Sequence, residues 1–371
     1  MLIQSWEEND MYSDSDLDAA VAAGALSPEA ATSLRAYMDS RAASSPVDEE
    51  HFRLITGFND IFVAIAAAIL LFAVGWIGNS MGANIDGDGP SPFAGLLVAG
   101  TAWGLAEFFT KKRRMALPSI LLLLAFTGGV LLTAFATLVL GIGEATFEND
   151  ERAIALLVAG SAAVAAGATW FHWRRFRVPI TVAAGAATVV GVVLALIASA
   201  VGDVPNLEDI LLGGGLVLGL GVFLFAMWWD SSDRARQTRR SDVAFWLHLL
   251  AAPLIVHPIF SLLGLTDGDA SIGEALVVLG VYVLLGITAL AIDRRALLVS
   301  ALAYVLFALI SLFREFGAVE LNIALAAFVI GSGLLLLSAF WHAVRRSIVR
   351  PLPPGLQARL PVLDRPAPVA A

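Results

Sequence analysis

The amino-acid sequence predicts an all-α fold: a polytopic transmembrane helical bundle of about ten spans, both ends on the inner side, with a small N-terminal helical pair. Three observations carry that expectation. Hydrophobic residues make up 58% and charged residues 15% of the 371-residue chain, whereas a soluble domain carries about 25% charge. Apolar runs long enough to cross about 30 Å of hydrocarbon recur along the sequence. The loops between these runs alternate between basic and acidic.

The first 58 residues differ in composition from the rest. In "SDSDLDAAVAAGALSPEAATSLRAYMDSR" a short helix is expected from Asp16 to Ala23, stopped by Gly24. A second follows, with Ser27 as its cap, Pro28 at its first position and Glu29 near the positive end of its dipole. Ala31, Leu34, Tyr37 and Met38 then share one face. A hairpin this small buries little surface alone, so it is expected to pack on the membrane domain or on a partner. The segment Asp48 to Asp60, "DEEHFRLITGFND", leads into the first span along the interface. The acidic start, "MLIQSWEENDMYSDSDLD", lacks the basic stretch and apolar core of a secretory signal, so Met1 is expected in the mature protein.

The spans lie near residues 61–78, 93–109, 119–140, 153–171, 180–201, 210–229, 243–265, 275–292, 296–313 and 321–342. In lipid the backbone must satisfy its own hydrogen bonds. Runs rich in Leu, Val, Ala and Ile without strict alternation therefore form helices and not barrel strands. The expected division is a helical hairpin with its lead-in over 1–58, a ten-span domain over 59–342 and a basic, proline-rich tail over 343–371.

Charge placement orients the spans. The loops "TKKRR", "HWRRFR", "DSSDRARQTRR" and "DRR" together with the tail hold eighteen basic residues; the five other loops hold two, Arg152 and Arg314, and fourteen carboxylates. Cationic loops resist translocation, so both termini are expected in the cytoplasm of a bacterial inner (plasma) membrane protein. The basic loops also offer contacts to anionic lipid; nucleic acid is not an expected partner. "KKRRMALPSILLLL", "WRRFRVPITVAAG" and "DRRALLVSALAYV" share a character, an arginine cluster followed by the start of a helix, with Pro118 and Pro179 in corresponding places. Either a duplicated two-helix unit or the general habit of membrane hairpins accounts for it.

The helical pair "LDAAVAAGALSPEAATSLRAYM", the following "FNDIFVAIAAAILLFAVGWIG" and the later "DRRALLVSALAYV" together resemble the bacterial membrane proteins grouped as domain of unknown function 2157. The resemblance covers about the first 80 residues and the ninth span, and elsewhere is one of hydropathy. It implies a bacterial inner-membrane protein with a cytoplasmic N-terminal helical pair, and no catalytic residue.

The chemistry open to the spans is limited. Without cysteine there are no disulfides, thiolate metal sites or cysteine nucleophiles. No "HExxH" occurs and no carboxylate or histidine pair converges on one face, so neither an enzyme nor a cofactor or metal site is expected. An ionisable side chain inside hydrocarbon is costly, and one retained there is a candidate for function. Four candidates for a solute or proton site stand out. Glu107 lies one turn before Lys111 at ion-pair spacing, and Asp60 sits at the inner mouth of the first span, where a carboxylate suits a helix start. His248 and His257 flank Pro253 in the seventh span, with Pro258 beyond, and nine residues of helix turn the two histidines to opposite faces. His257 is expected about halfway through its helix, either hydrogen-bonded and structural or facing a pathway. In the sixth span Gly215 and Gly219 have the spacing of close helix packing. Trp103, Trp170, Trp173, Trp228, Trp229 and Trp341 gather toward the basic ends as interfacial anchors.

Two functions follow from this reading. One is transporter-like, for a small solute, supported by ten spans and a proline-broken helix. The alternative is a non-transporting scaffold or regulator that presents the helical pair to a cytoplasmic protein or to a second copy of itself.

Overall fold

A computed structural model describes residues 14–34, 58–143, 146, 150–234, 236, 238–263, 272–315 and 321–363. The chain divides into two compact units, Met1–His51 with Asp364–Ala371, and Phe52–Leu363. In the first unit α1 runs Asp14–Ala22 and α2 covers 28–34. Gly24 takes a left-handed φ of 70° between them, and the Ser27 hydroxyl accepts the Ala30 amide at 3.1 Å, which satisfies a donor that the helix start leaves open. Ala31 is buried and Leu34 exposed; Tyr37, Met38 and the lead-in before Phe58 lie outside the described residues.

The described elements of the second unit are all helices, and ten of them are long and apolar enough to cross a membrane. They are α3 (Phe58–Asn79), α4 (Pro92–Ala106, continued as a π-helical turn over Glu107–Lys112), α5 (Ala116–Ile142), α6 (Glu151–Phe176), α7 (Ile180–Val201), α8 (Leu207–Ser231), α9 (Arg239–Leu262), α10 (Ile272–Ile292), α11 (Ala296–Glu315) and α12 (Asn322–Ala339). Large apolar side chains such as Phe72, Val217, Leu224, Phe328 and Leu335 stand fully on the outside. A surface of that kind belongs in lipid, and the chain is a multi-pass membrane protein. The acidic loop residues Glu144, Glu148, Asp267 and Asp269 lie outside the described residues.

The most extensive pairings are α8 with α9, α6 with α7, and α4 with α5, followed by α10 with α11. Each of these pairs is joined by one of the basic turns. Between successive hairpins α5 packs on α6, α7 on both α8 and α9, and α9 on α11, while α3 lies against α4 and α5. The same backbone device closes all four basic turns between spans, since Arg114, Arg177, Arg236 and Asp293 each adopt a left-handed φ of 53° to 58° just before the next helix. Small residues let the hairpins close. A Cβ on Gly129 would stand 2.7 Å from the Gly95 carbonyl oxygen, and one on Gly219 would stand 2.8 Å from Leu254 Cβ. Gly215 is looser, with Pro258 at 3.8 Å.

α9 is the most buried span and α12 the least. Beyond α12 the chain continues within the same unit as α13 (Trp341–Val349) and α14 (Pro354–Gln357). Trp341, Arg345 and Val349, one turn apart, form the buried face of α13, and Trp341, Val349 and Leu360 join Ala289, Leu290, Leu297 and Leu298 in a shared core. The part of the 343–371 segment that the structure describes is thus a folded strap over the basic ends of α10 and α11.

Candidate functional site

The bundle concentrates its buried charge at the end where the basic turns lie. Asp230, the next-to-last residue of α8, is almost completely buried. Arg294, from the turn between α10 and α11, reaches it with Nη2 to Oδ1 at 2.6 Å and Nε to Oδ2 at 3.3 Å, a two-pronged pairing. His248 of α9 places Nε2 3.0 Å from Asp230 Oδ2. Arg294 Nη2 also donates to the Ser241 carbonyl at 3.0 Å. Three chain segments, the end of α8, α9 and the α10–α11 turn, are thus tied together around one carboxylate.

His248 is fully buried, packed edge-on against Phe223 at 5.3 Å, and its Nδ1 has no hydrogen-bond partner among the described residues. The tautomer with the proton on Nε2 fits this geometry, donating to Asp230 and leaving a bare lone pair at Nδ1 where an N–H would be stranded.

A second carboxylate lies beside the first. Asp293 accepts Arg236 Nη1 at 3.0 Å and the Trp341 indole N–H at 2.7 Å, with Arg345 Nε at 3.7 Å. Arg236 Nη2 donates in addition to the Ile292 and Asp293 carbonyls. Burial would raise the Asp293 carboxyl, but Arg236, Arg345 and the Trp341 hydrogen bond outweigh it and hold the group below the ordinary carboxylate value. The strap closes over this pair. Arg345 donates to the Pro361 and Val362 carbonyls at 2.8 and 3.2 Å, and Arg234 to the Leu360 and Gln357 carbonyls at 2.8 and 3.0 Å.

Of the four residues that the sequence offers for a solute or proton site, His248 alone joins this cluster. His257 lies on an exposed face of α9, and because that helix ends at Leu262 it stands five residues, about 7.5 Å, from the acidic end and not halfway along. Its Nδ1 meets the Tyr304 hydroxyl at 2.7 Å and Ser261 Oγ at 3.5 Å. Glu107 pairs chiefly with Arg175 of α6, at 2.6 and 2.8 Å, and only at 3.7 Å with Lys111. That ion pair joins two hairpins, where sequence spacing had suggested a local contact. Asp60 is buried in the first turn of α3. The four candidates do not converge. Trp341 and Trp103 also differ from interfacial anchors: the first is buried on Asp293, the second packs among Phe126, Phe176 and His172.

Asp230, Asp293, Arg236, Arg294 and Arg345 were hidden in loops whose charge is expected on topological grounds alone. One signal was available: Asp230 and Asp293 are carboxylates at the very ends of spans entering otherwise cationic loops. Among the described residues no group of three or more His, Asp or Glu side chains could hold a metal ion. Comparison of the chain with protein-family models, curated proteins and solved structures finds no match. The resemblance to the domain of unknown function 2157 family therefore rests on the residues quoted for it.

Proposed function

We propose that this is a non-catalytic, non-transporting scaffold or regulator of the bacterial inner membrane, with both termini cytoplasmic and the N-terminal helical pair offered to a cytoplasmic protein. One observation carries the reading. The charges buried around Asp230 and Asp293 are tied to one another and to the strap at the basic end, whereas a carrier uses a polar site near the midplane that opens to either side. A sealed, cross-tied inner end suits a rigid platform. The basic turns favour the cytoplasm for that end, because cationic loops are retained there.

The transporter reading keeps one observation in its favour: Pro253 and Pro258 inside α9, with His257, Tyr304 and Ser261 grouped beside them. The experiment separates the two. Purified protein in proteoliposomes should leave an imposed pH gradient to decay as in protein-free vesicles, and a photo-crosslinker at exposed Leu34 should capture one discrete partner in cells. Faster decay that His257→Gln abolishes, with nothing captured at Leu34, would establish the carrier instead.

A further inference from the structure

We propose that a groove between α11 and α12 binds one acyl chain of an anionic phospholipid, whose phosphate rests on Arg295. The groove has a volume of about 200 Å³ and is walled by Leu298 and Leu302 on α11 and Leu334 and Leu337 on α12, with Arg295 and Trp341 at its basic end. From Arg295 to Leu302 is seven residues, roughly 10 Å of helix, within the depth of one leaflet of a core about 30 Å thick. A helix is 10–12 Å across and would need several times this volume over the same length, so the space suits a single hydrocarbon chain and not a second transmembrane segment.

The charge at the mouth selects the headgroup. Adjacent arginines are put to opposite uses: Arg294 is buried on Asp230, while Arg295 is partly exposed, its guanidinium 4.9 Å over the Trp341 ring. Trp341 is itself fixed, since its indole N–H donates to Asp293 at 2.7 Å. The cation is thus held at the mouth of the groove by its aromatic neighbour, leaving its N–H fork for a phosphate. α11 begins at Ala296, so the positive end of its dipole falls at the same point. An apolar slot, an arginine and a helix start converge at headgroup level, which is the chemistry of an anionic lipid. The proposal is independent of whether the bundle transports anything.

The test is native mass spectrometry of the full chain in neutral detergent, with phosphatidylglycerol or phosphatidylcholine of matched acyl chains added. Phosphatidylglycerol should be retained over phosphatidylcholine by roughly fivefold, the factor that one basic residue near an anionic surface contributes. Arg295→Gln should erase the preference, and Leu302→Trp should lower retention of both lipids; Ser338→Phe fills the groove from the α12 side if Leu302→Trp does not insert. Arg346→Gln, an exposed arginine on α13, should leave the preference intact. A preference that survives Arg295→Gln, that Arg346→Gln weakens equally, or that groove filling leaves untouched would overturn the site. Groove filling that dissociates an oligomer without changing lipid retention would overturn it in favour of a second copy.

Discussion

Asp230 shows what a single buried charge implies in this bundle. Its carboxylate is held by Arg294 and His248 with almost no exposure, and removing it would strand both partners away from water. Asp230→Ala should therefore cost about 3–5 kcal/mol, read as a fall in melting temperature in detergent. Replacing all three by apolar residues of similar size, as Asp230→Leu, His248→Phe and Arg294→Met together, should recover most of that loss, because a buried ion pair adds little over good packing. A triple variant as unstable as Asp230→Ala would mean that the cluster itself holds the helix ends together. Asp293 gives a pH dependence with a definite sign. Its folded-state value lies below the ordinary one, so its contribution is fully present above the unfolded value of about 4 and is lost as pH falls through the lower, folded value. Thermal melts of wild type and Asp293→Asn should differ at neutral pH and converge in acid. A gap that stays constant with pH would refute the linkage.

The hairpin is the unit of construction at the level of elements, and its tightness depends on where small residues face. Gly219 has Leu254 backbone atoms 2.9 Å from where a Cβ would sit, whereas Gly221, two residues on, has nothing within 4 Å. Gly219→Val should therefore push α8 from α9 and cost about 1–3 kcal/mol, as overpacking does, while Gly221→Ala should be neutral or slightly stabilising. Equal effects at both positions would show that close approach is not what glycine supplies. The strap is the second element with a measurable share. Truncation after Val349 removes the Gln357, Leu360, Pro361 and Val362 carbonyls that Arg234 and Arg345 use, leaving the half-buried Arg234 and the buried Arg345 short of acceptors. Melting temperature should drop and the α8–α9 turn should become a protease site; an unchanged melt would reduce the strap to a passive appendage.

For the whole molecule, orientation is the testable property, and the chain is suited to it because it contains no cysteine. Single cysteines at Asp88 and Asp203, both exposed at the acidic end, should react with an impermeant reagent in intact cells, and those at Arg113 and Ser232, exposed at the basic end, should not. The reverse pattern would invert the proposed topology. The ten spans were legible in the sequence because length and apolarity in a bilayer follow from local composition, and the basic turns because a run such as Lys111 to Arg114 interrupts that composition openly. The charge cluster was not legible. An aspartate ending a span looks like any loop residue until the partner helices are placed, and Asp230 meets Arg294 across 64 positions of sequence. The same holds for Glu107, whose partner four residues away by sequence proved secondary to Arg175, 68 positions off. The sequence by itself thus determined the spans, their number and the alternation of charge between their ends, since each is a property of contiguous residues. Tertiary structure alone decided which charges are buried together, that His257 faces outward near the acidic end, and that the chain after α12 returns as a strap, because each depends on which helix faces come to lie side by side.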